Sequence, residues 1–153
     1  MDSPDTPNGD IVANLIISHD QQAIHDALAN FRTHTELWPE GCVSKKWEYG
    51  SVESGVGASA LLTYTPWFGW RRSLTAVVIA DEPGRIEIDH PGDKGFVTSF
   101  TLEQQPAGVA VEMHTWVNPP PKPFQRLYVK RIQPKWQACH QGFLENIASR
   151  LAW

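Results

Sequence analysis

The sequence has few cysteines, no long apolar run and no excess of positive charge. Its two cysteines, Cys42 and Cys139, are too few for a disulfide framework and lack metal-ligand spacing, so we expect a reducing, cytoplasmic location. No stretch approaches the roughly 18 consecutive apolar residues of a membrane-spanning helix. A net charge of −4 argues against non-specific nucleic-acid binding, which usually needs a strongly basic domain. We therefore predict no transmembrane segment and no nucleic-acid partner.

Motifs for common catalytic and cofactor sites are also missing. The sequence has no Gly-x-Ser-x-Gly elbow, no phosphate loop and no dinucleotide fingerprint. His19 and His25 are spaced so that they do not share a helix face, and Cys139 and His140 point in different directions on a helix. We predict no metal site and no cofactor.

What is present is sufficient for one globular domain. The chain has 153 residues, of which 41% are hydrophobic and 20% charged. Residues 1–10 are rich in Asp, Ser, Pro, Asn and Gly and lack the order of a secretory signal, which predicts a mobile tail. Residues 11–153 are predicted to form a single ligand-binding domain.

Apolar periodicity gives the order of the elements. A strand is predicted over 11–18, then an amphipathic helix that begins after Asp20 and includes Phe31, with a further helical turn near 35–38. Six strands follow, and turn sequences such as Pro83-Gly84 separate them. They are predicted over residues 43–49, 57–65, 71–81, 85–90, 95–104 and 109–116. Short connections predict antiparallel hairpins.

The end of the chain predicts a long amphipathic helix. Its apolar stripe consists of Ile132, Trp136, Cys139, Phe143, Ile147 and Leu151. Pro134 predicts either a kink or a helix start just beyond it. Five basic residues lie near the beginning of this helix and predict a solvated face, or attraction of an anionic head group or acidic partner: Lys122, Arg126, Lys130, Arg131 and Lys135.

This element order, with the strand entry at residues 55–58 and the turn at residues 81–86, resembles the START/polyketide-cyclase superfamily, also called SRPBCC. The resemblance covers residues 11–151. It implies an α+β helix-grip fold: a seven-stranded curved antiparallel sheet wrapped around a long C-terminal helix, with two short helices after the first strand. Members bind lipids, polyketides, sterols, quinones or hormones, and some are cyclases or dehydratases. The superfamily has no shared catalytic residue to transfer, and the iron motifs of its oxygenase branch are absent here.

Strand alternation selects the wall of the predicted cavity between sheet and helix. Thr98 and Thr115 are polar points within an apolar face and suit hydrogen bonding to a ligand, although threonine is also an ordinary strand former. The predicted wall consists of Phe96, Thr98, Phe100, Val111, Met113, Thr115, Trp136, Cys139 and Phe143.

The string of residues 67–70 places three aromatic side chains at a hairpin tip. Such side chains are costly to expose, so Trp67, Phe68 and Trp70 are predicted to contact the ligand as a lid. Packing into the core explains them equally well. The same loop also fits a homodimer or a protein-interaction surface.

Glu112 and His114 are the candidate catalytic residues. They lie two apart on one strand, so their side chains share a face and can act as acid and base. The stronger interpretation is that both side chains face solvent and have no catalytic role. Val109, Val111 and Met113 form the apolar phase of that strand and should face the core.

The sequence therefore predicts binding or carriage of a hydrophobic or aromatic small molecule, such as a lipid, polyketide or quinone, without catalysis. One alternative is a polyketide cyclase or dehydratase that uses the same cavity. Another is an interaction module that works through residues 67–70.

Overall fold

The computed structural model describes residues 10–44, 46–64, 72–91, 96–117 and 122–151. The first elements are strand β1 (Ile11–Ile17) and helices α1 (Gln21–Leu28) and α2 (Phe31–Leu37). Six strands follow: β2 (Glu48–Tyr49), β3 (Ser59–Tyr64), β4 (Arg72–Glu82), β5 (Arg85–His90), β6 (Phe96–Gln105) and β7 (Gly108–Val117). Helix α3 (Pro123–Leu151) ends the described chain.

The strands form one antiparallel sheet in the order β1-β7-β6-β5-β4-β3-β2. From β2 to β7 each strand pairs with the next one in sequence, and β7 then pairs with β1. A register shift between Val78 and Ala80 marks a β-bulge, which bends β4. The predicted seven-stranded curved sheet is confirmed.

Closure of the sheet between β1 and β7 requires a glycine at position 108. Gly108 has φ +142°, and a Cβ there would lie 2.7 Å from the carbonyl oxygen of Ile17. A larger residue would push β7 away from the end of β1.

Local capping explains why two helices follow β1. The side chain of Asp20 accepts a hydrogen bond from Ala23 N at 3.1 Å, which confirms the predicted start of α1. Asn30 caps α2 in the same way, accepting from Arg32 N at 2.9 Å. Phe31, predicted on the first helix, therefore begins the second one.

Helix α3 lies against the inner face of the sheet. Phe143, Leu144 and Ile147 are fully buried in the same core cluster as Val109 and Met113 of β7. The helix begins at Pro123, so the alternative start beyond Pro134 is wrong and Pro134 lies inside the helix. Proline is favoured at a first helical position because its missing N–H needs no partner there.

The predicted strand over 43–49 is much shorter than expected. Glu48 and Tyr49 pair with β3 as a short strand, and Ser44 N makes a separate hydrogen bond to the carbonyl oxygen of Thr63 in β3 at 2.7 Å. Before them, Trp47 Nε1 donates to the carbonyl oxygen of Ser44 at 2.6 Å, a local bond that competes with sheet pairing.

The number and spacing of the two cysteines did not predict a disulfide, but the structure shows that they are bonded to each other. Cys42 follows α2 and Cys139 lies on α3, 97 positions later. The bond ties the segment after α2 to the middle of the long helix. In the described ranges, no helix has the length and apolarity needed to cross a bilayer.

Candidate ligand-binding site

The predicted wall residues lie on the facing surfaces of the sheet and α3. Seven of the nine are buried: Thr98, Phe100, Val111, Met113, Thr115, Cys139 and Phe143. Phe96 and Trp136 are half-buried. The register places Thr98 opposite Thr115 and Phe100 opposite Met113, so β6 and β7 present one continuous inner face.

A chain of hydrogen bonds crosses this interior from β6 to α3. Thr98 Oγ1 lies 2.8 Å from Thr115 Oγ1, and Thr115 Oγ1 lies 2.7 Å from Nε2 of His140. The other ring nitrogen of His140, Nδ1, lies 2.8 Å from the carbonyl oxygen of Trp136, one helical turn earlier. The two predicted threonines are thus joined to a histidine that was not predicted.

Two further histidines are buried on the same side of the sheet. His34 of α2 places Nε2 at 2.7 Å from the carbonyl oxygen of Leu28. His90, at the end of β5, places Nδ1 at 3.2 Å from the carbonyl oxygen of Phe96. His90 also stacks on the ring of Phe96, with centroids 4.0 Å apart.

All three histidines are neutral at physiological pH. Burial away from water lowers the pKa of His34, of His90 and of His140 from 6.5 to about 4. The backbone hydrogen bond that each makes only partly opposes this effect. For His90, the charges that His34 and His140 would carry lower the pKa a little further.

Aromatic rings surround the histidines. His34 contacts the rings of Phe100 and Phe143, with centroids 6.1 and 5.2 Å apart. Trp38 joins the two histidine-bearing helices, since its ring lies 5.4 Å from that of His140 and 4.7 Å from that of Phe143. The interior is therefore apolar and aromatic with a few fixed polar atoms, as is typical of sites for small molecules.

Comparisons with known proteins identify the architecture. No family model and no curated protein matches the sequence. Among solved structures, the KanY protein superposes with a TM-score of 0.76 at 14% identity, covering 94% of this chain and 97% of that one. The di-domain ARO/CYC StfQ of the steffimycin biosynthetic pathway gives 0.66 at 14% identity, covering 94% of this chain and 50% of that one.

Major latex-like protein 151 of Panax ginseng gives a TM-score of 0.61 at 12% identity, covering 94% of this chain and 97% of that one. The chain has the helix-grip fold. At these identities, the likeness establishes the fold alone.

Within this helix-grip chain, Glu112 and His114 lie on the outer face of the sheet. Glu112 is exposed. Nε2 of His114 lies 3.1 Å from a carboxylate oxygen of Asp10, so the last residue of the predicted tail is tied to β7. The structure does not bring either candidate into the interior, in agreement with the apolar phase of the strand.

Of the other predicted site residues, three lie outside the described part of the chain and one belongs to the disulfide. Trp67, Phe68 and Trp70 lie outside the described residues, as do residues 1–9 of the predicted tail. Cys139 is buried at the wall, but its sulfur is bonded to Cys42 and is not a free thiol for a ligand. Among the described residues, no three His, Cys, Asp or Glu side chains gather as a metal site would require.

The histidines were missed although a pattern pointed to two of them. His90 continues the alternation of Ile86 and Ile88, both buried, and therefore faces inward. His34 is three positions from both Phe31 and Leu37, on the buried face of α2. Because histidine is polar, neither residue was included in a predicted apolar face.

An outer depression also contains a histidine. Nε2 of His25 lies 2.5 Å from Asp81 Oδ1, in a hollow bordered by Gln21 and Gly84. The pair joins α1 to the end of β4, which makes it a packing contact.

Proposed function

We propose that this chain binds a hydrophobic, aromatic small molecule between the inner face of the sheet and α3, and carries it without converting it. Aromatic side chains such as Phe96, Phe100, Trp136 and Phe143 supply flat apolar surface. Removing about 300 Å² of ligand surface from water contributes several kcal/mol at roughly 25 cal/mol per Å². Ordering the ligand offsets part of this gain.

The proposal rests chiefly on the polar atoms buried in this interior. His34 and His90 each use one ring nitrogen for a backbone hydrogen bond. The hydroxyls of Thr98 and Thr115 form a hydrogen-bond chain that ends at His140. Burying polar groups costs free energy that apolar side chains at these positions would avoid, and a bound molecule with a polar group can hydrogen-bond to them.

Native mass spectrometry of freshly purified protein, followed by denaturing extraction, tests this proposal. We expect an adduct that disappears on denaturation and is recovered unchanged after incubation with the protein. His114→Phe, on the outer face, should retain the adduct and serves as the control. Recovery of a converted product would contradict carriage. A bare protein mass that also gains nothing on titration with 2-naphthol would contradict binding.

A cyclase or dehydratase activity is the second candidate, because the hydroxyl chain ends at an imidazole that can accept a proton. The fold similarity to the ARO/CYC StfQ is compatible with it. A pKa of about 4 makes His140 a weak base, which is why we rank this activity below binding. Loss of turnover in Thr115→Val, with Glu112→Gln and His114→Ala unaffected, would support it on any substrate found to be converted.

A further inference from the structure

The backbone contacts of the three histidines determine where their hydrogens lie. A carbonyl oxygen can only accept, so the ring nitrogen that faces it must carry the hydrogen. In a neutral imidazole the other nitrogen is then an acceptor. His140 is therefore protonated on Nδ1, toward the carbonyl of Trp136, and accepts at Nε2.

This assignment orients the whole hydroxyl chain. Because Nε2 of His140 accepts, the hydroxyl of Thr115 donates its single hydrogen to it. Thr115 Oγ1 must then accept from Thr98, which uses the single hydrogen of that hydroxyl. This hydrogen-bond chain therefore ends at a lone pair on Thr98 Oγ1.

The same reasoning applies to the other two histidines. His34 donates through Nε2 to Leu28, which leaves Nδ1 as an acceptor. His90 donates through Nδ1 to Phe96, which leaves Nε2 as an acceptor. Every side-chain hydrogen of these five polar residues is already used, and the five side chains offer the interior only lone pairs.

We infer that this acceptor-lined interior selects ligands that bear a hydroxyl group, a phenol or an alcohol, over ligands whose polar group only accepts. A ketone or quinone oxygen would meet lone pairs, and no Lys or Arg is buried among the described residues to offset a carboxylate. A hydroxyl can donate a hydrogen bond to an acceptor of Thr98, His34 or His90. The inference rests on the proposed function and narrows its ligand class.

Matched aromatic probes test the selection. Binding of naphthalene, 2-naphthol, 2-methoxynaphthalene and 2-naphthoate is measured by isothermal titration calorimetry at pH 7.5. We expect 2-naphthol to bind about tenfold more tightly than its methyl ether, since one good hydrogen bond gives about that ratio. The ether should bind about as well as naphthalene, and the carboxylate more weakly than both.

Variants then locate the acceptor. Thr98→Val, His34→Phe and His90→Phe each remove one of these acceptors. The threonine variant keeps the size of the side chain, and the histidine variants keep a planar aromatic ring. In at least one of them, the preference for 2-naphthol over the ether should fall to within about twofold, with ether binding little changed. His114→Phe, on the outer face, should keep the full preference.

The possible outcomes distinguish failure of this inference from failure of the proposed binding function. Equal binding of 2-naphthol and its ether would overturn the inference while the binding function stands. A tenfold preference that survives in all three variants would overturn the assignment to these residues. Absence of binding by every probe, with no co-purifying molecule, would overturn both. The wild-type ratio does not depend on whether any variant folds.

Discussion

At the scale of single residues, three histidines occupy positions that apolar side chains would fill at lower cost. His34, His90 and His140 are each at most 8% exposed. Each is held in one orientation by a backbone carbonyl. Fixed, neutral imidazoles of this kind give directional hydrogen bonds without charge, and their burial makes stability depend on pH.

The chain should lose stability as pH falls from about 6.5 toward 4. In that window the unfolded histidines take up protons while the folded ones, with pKa values of about 4, remain neutral. The unfolded state then binds more protons, so the free energy of unfolding falls as pH falls, by up to about 3 kcal/mol per histidine. Urea unfolding at several pH values between 7.5 and 4.5 measures this slope.

One variant and one control make that measurement specific. His90→Phe should reduce the slope by roughly a third, because one of three buried titrating groups is gone. His19→Phe, in the exposed segment before α1, should leave the slope unchanged. A midpoint that does not move between pH 7.5 and 4.5 would show that these histidines are not buried as neutral groups.

At the scale of elements, α3 covers the free edge of β1 with a ladder of glutamines. Gln133, Gln137 and Gln141 donate through Nε2 to three alternate carbonyl oxygens, at 2.8, 2.6 and 3.3 Å. The acceptors are Asp10, directly before β1, and Val12 and Asn14 within it. Four residues of helix rise about 6.0 Å and two residues of antiparallel strand about 6.8 Å, so the two spacings nearly match. The ladder occupies an edge that could otherwise pair with another chain.

Replacing each glutamine in turn with methionine should lower the free energy of unfolding by different amounts. Gln133→Met should lower the free energy of unfolding by about 1–2 kcal/mol, because the side chain is buried and bonds to Asp10. Gln137→Met should cost less, since it also removes Oε1, a buried atom with no partner. Gln141→Met, with the longest bond, should stay within about 0.5 kcal/mol of wild type. Urea unfolding measures all three, and a reversed order would contradict the ladder.

Element order was predictable from the sequence for local reasons. The alternation in β6 and β7 placed Thr98, Phe100 and Met113 inward, because side chains on a strand alternate between faces. Asp20 and the Pro83-Gly84 turn were readable because capping and turn formation depend on a few neighbouring residues. The shortening of β2 was not predictable, because no periodicity or turn residue signals the Trp47–Ser44 contact that precedes it.

At the scale of the whole molecule, the Cys42–Cys139 bond closes a loop that contains most of the sheet. Both cysteines are buried. Near the bond, a Cβ at Gly142 would lie 2.6 Å from a ring carbon of Pro39, so α3 and the segment after α2 approach closely. Bonds of this kind persist mainly in oxidising compartments, which weighs against the predicted cytoplasmic location.

Reduction of the bond should destabilise the protein markedly. The chain-entropy argument gives about 4–5 kcal/mol for a loop of about 100 residues. Thermal unfolding with and without a phosphine reductant measures the loss, and the double variant Cys42→Ala/Cys139→Ala should be insensitive to the reductant. Titration of two free thiols in non-reduced, denatured protein would contradict the pairing.

The sequence by itself determined the order of the helices and strands and most inward residues of β6 and β7, because periodicity, capping and turn chemistry act over a few residues. Only the tertiary structure decided which distant groups meet. His34, His90 and His140 come from three separate elements, and neither their gathering nor the hydrogen-bond chain to Thr115 has a local signature. Burial, which only packing creates, then turns three ordinary titratable side chains into neutral acceptors.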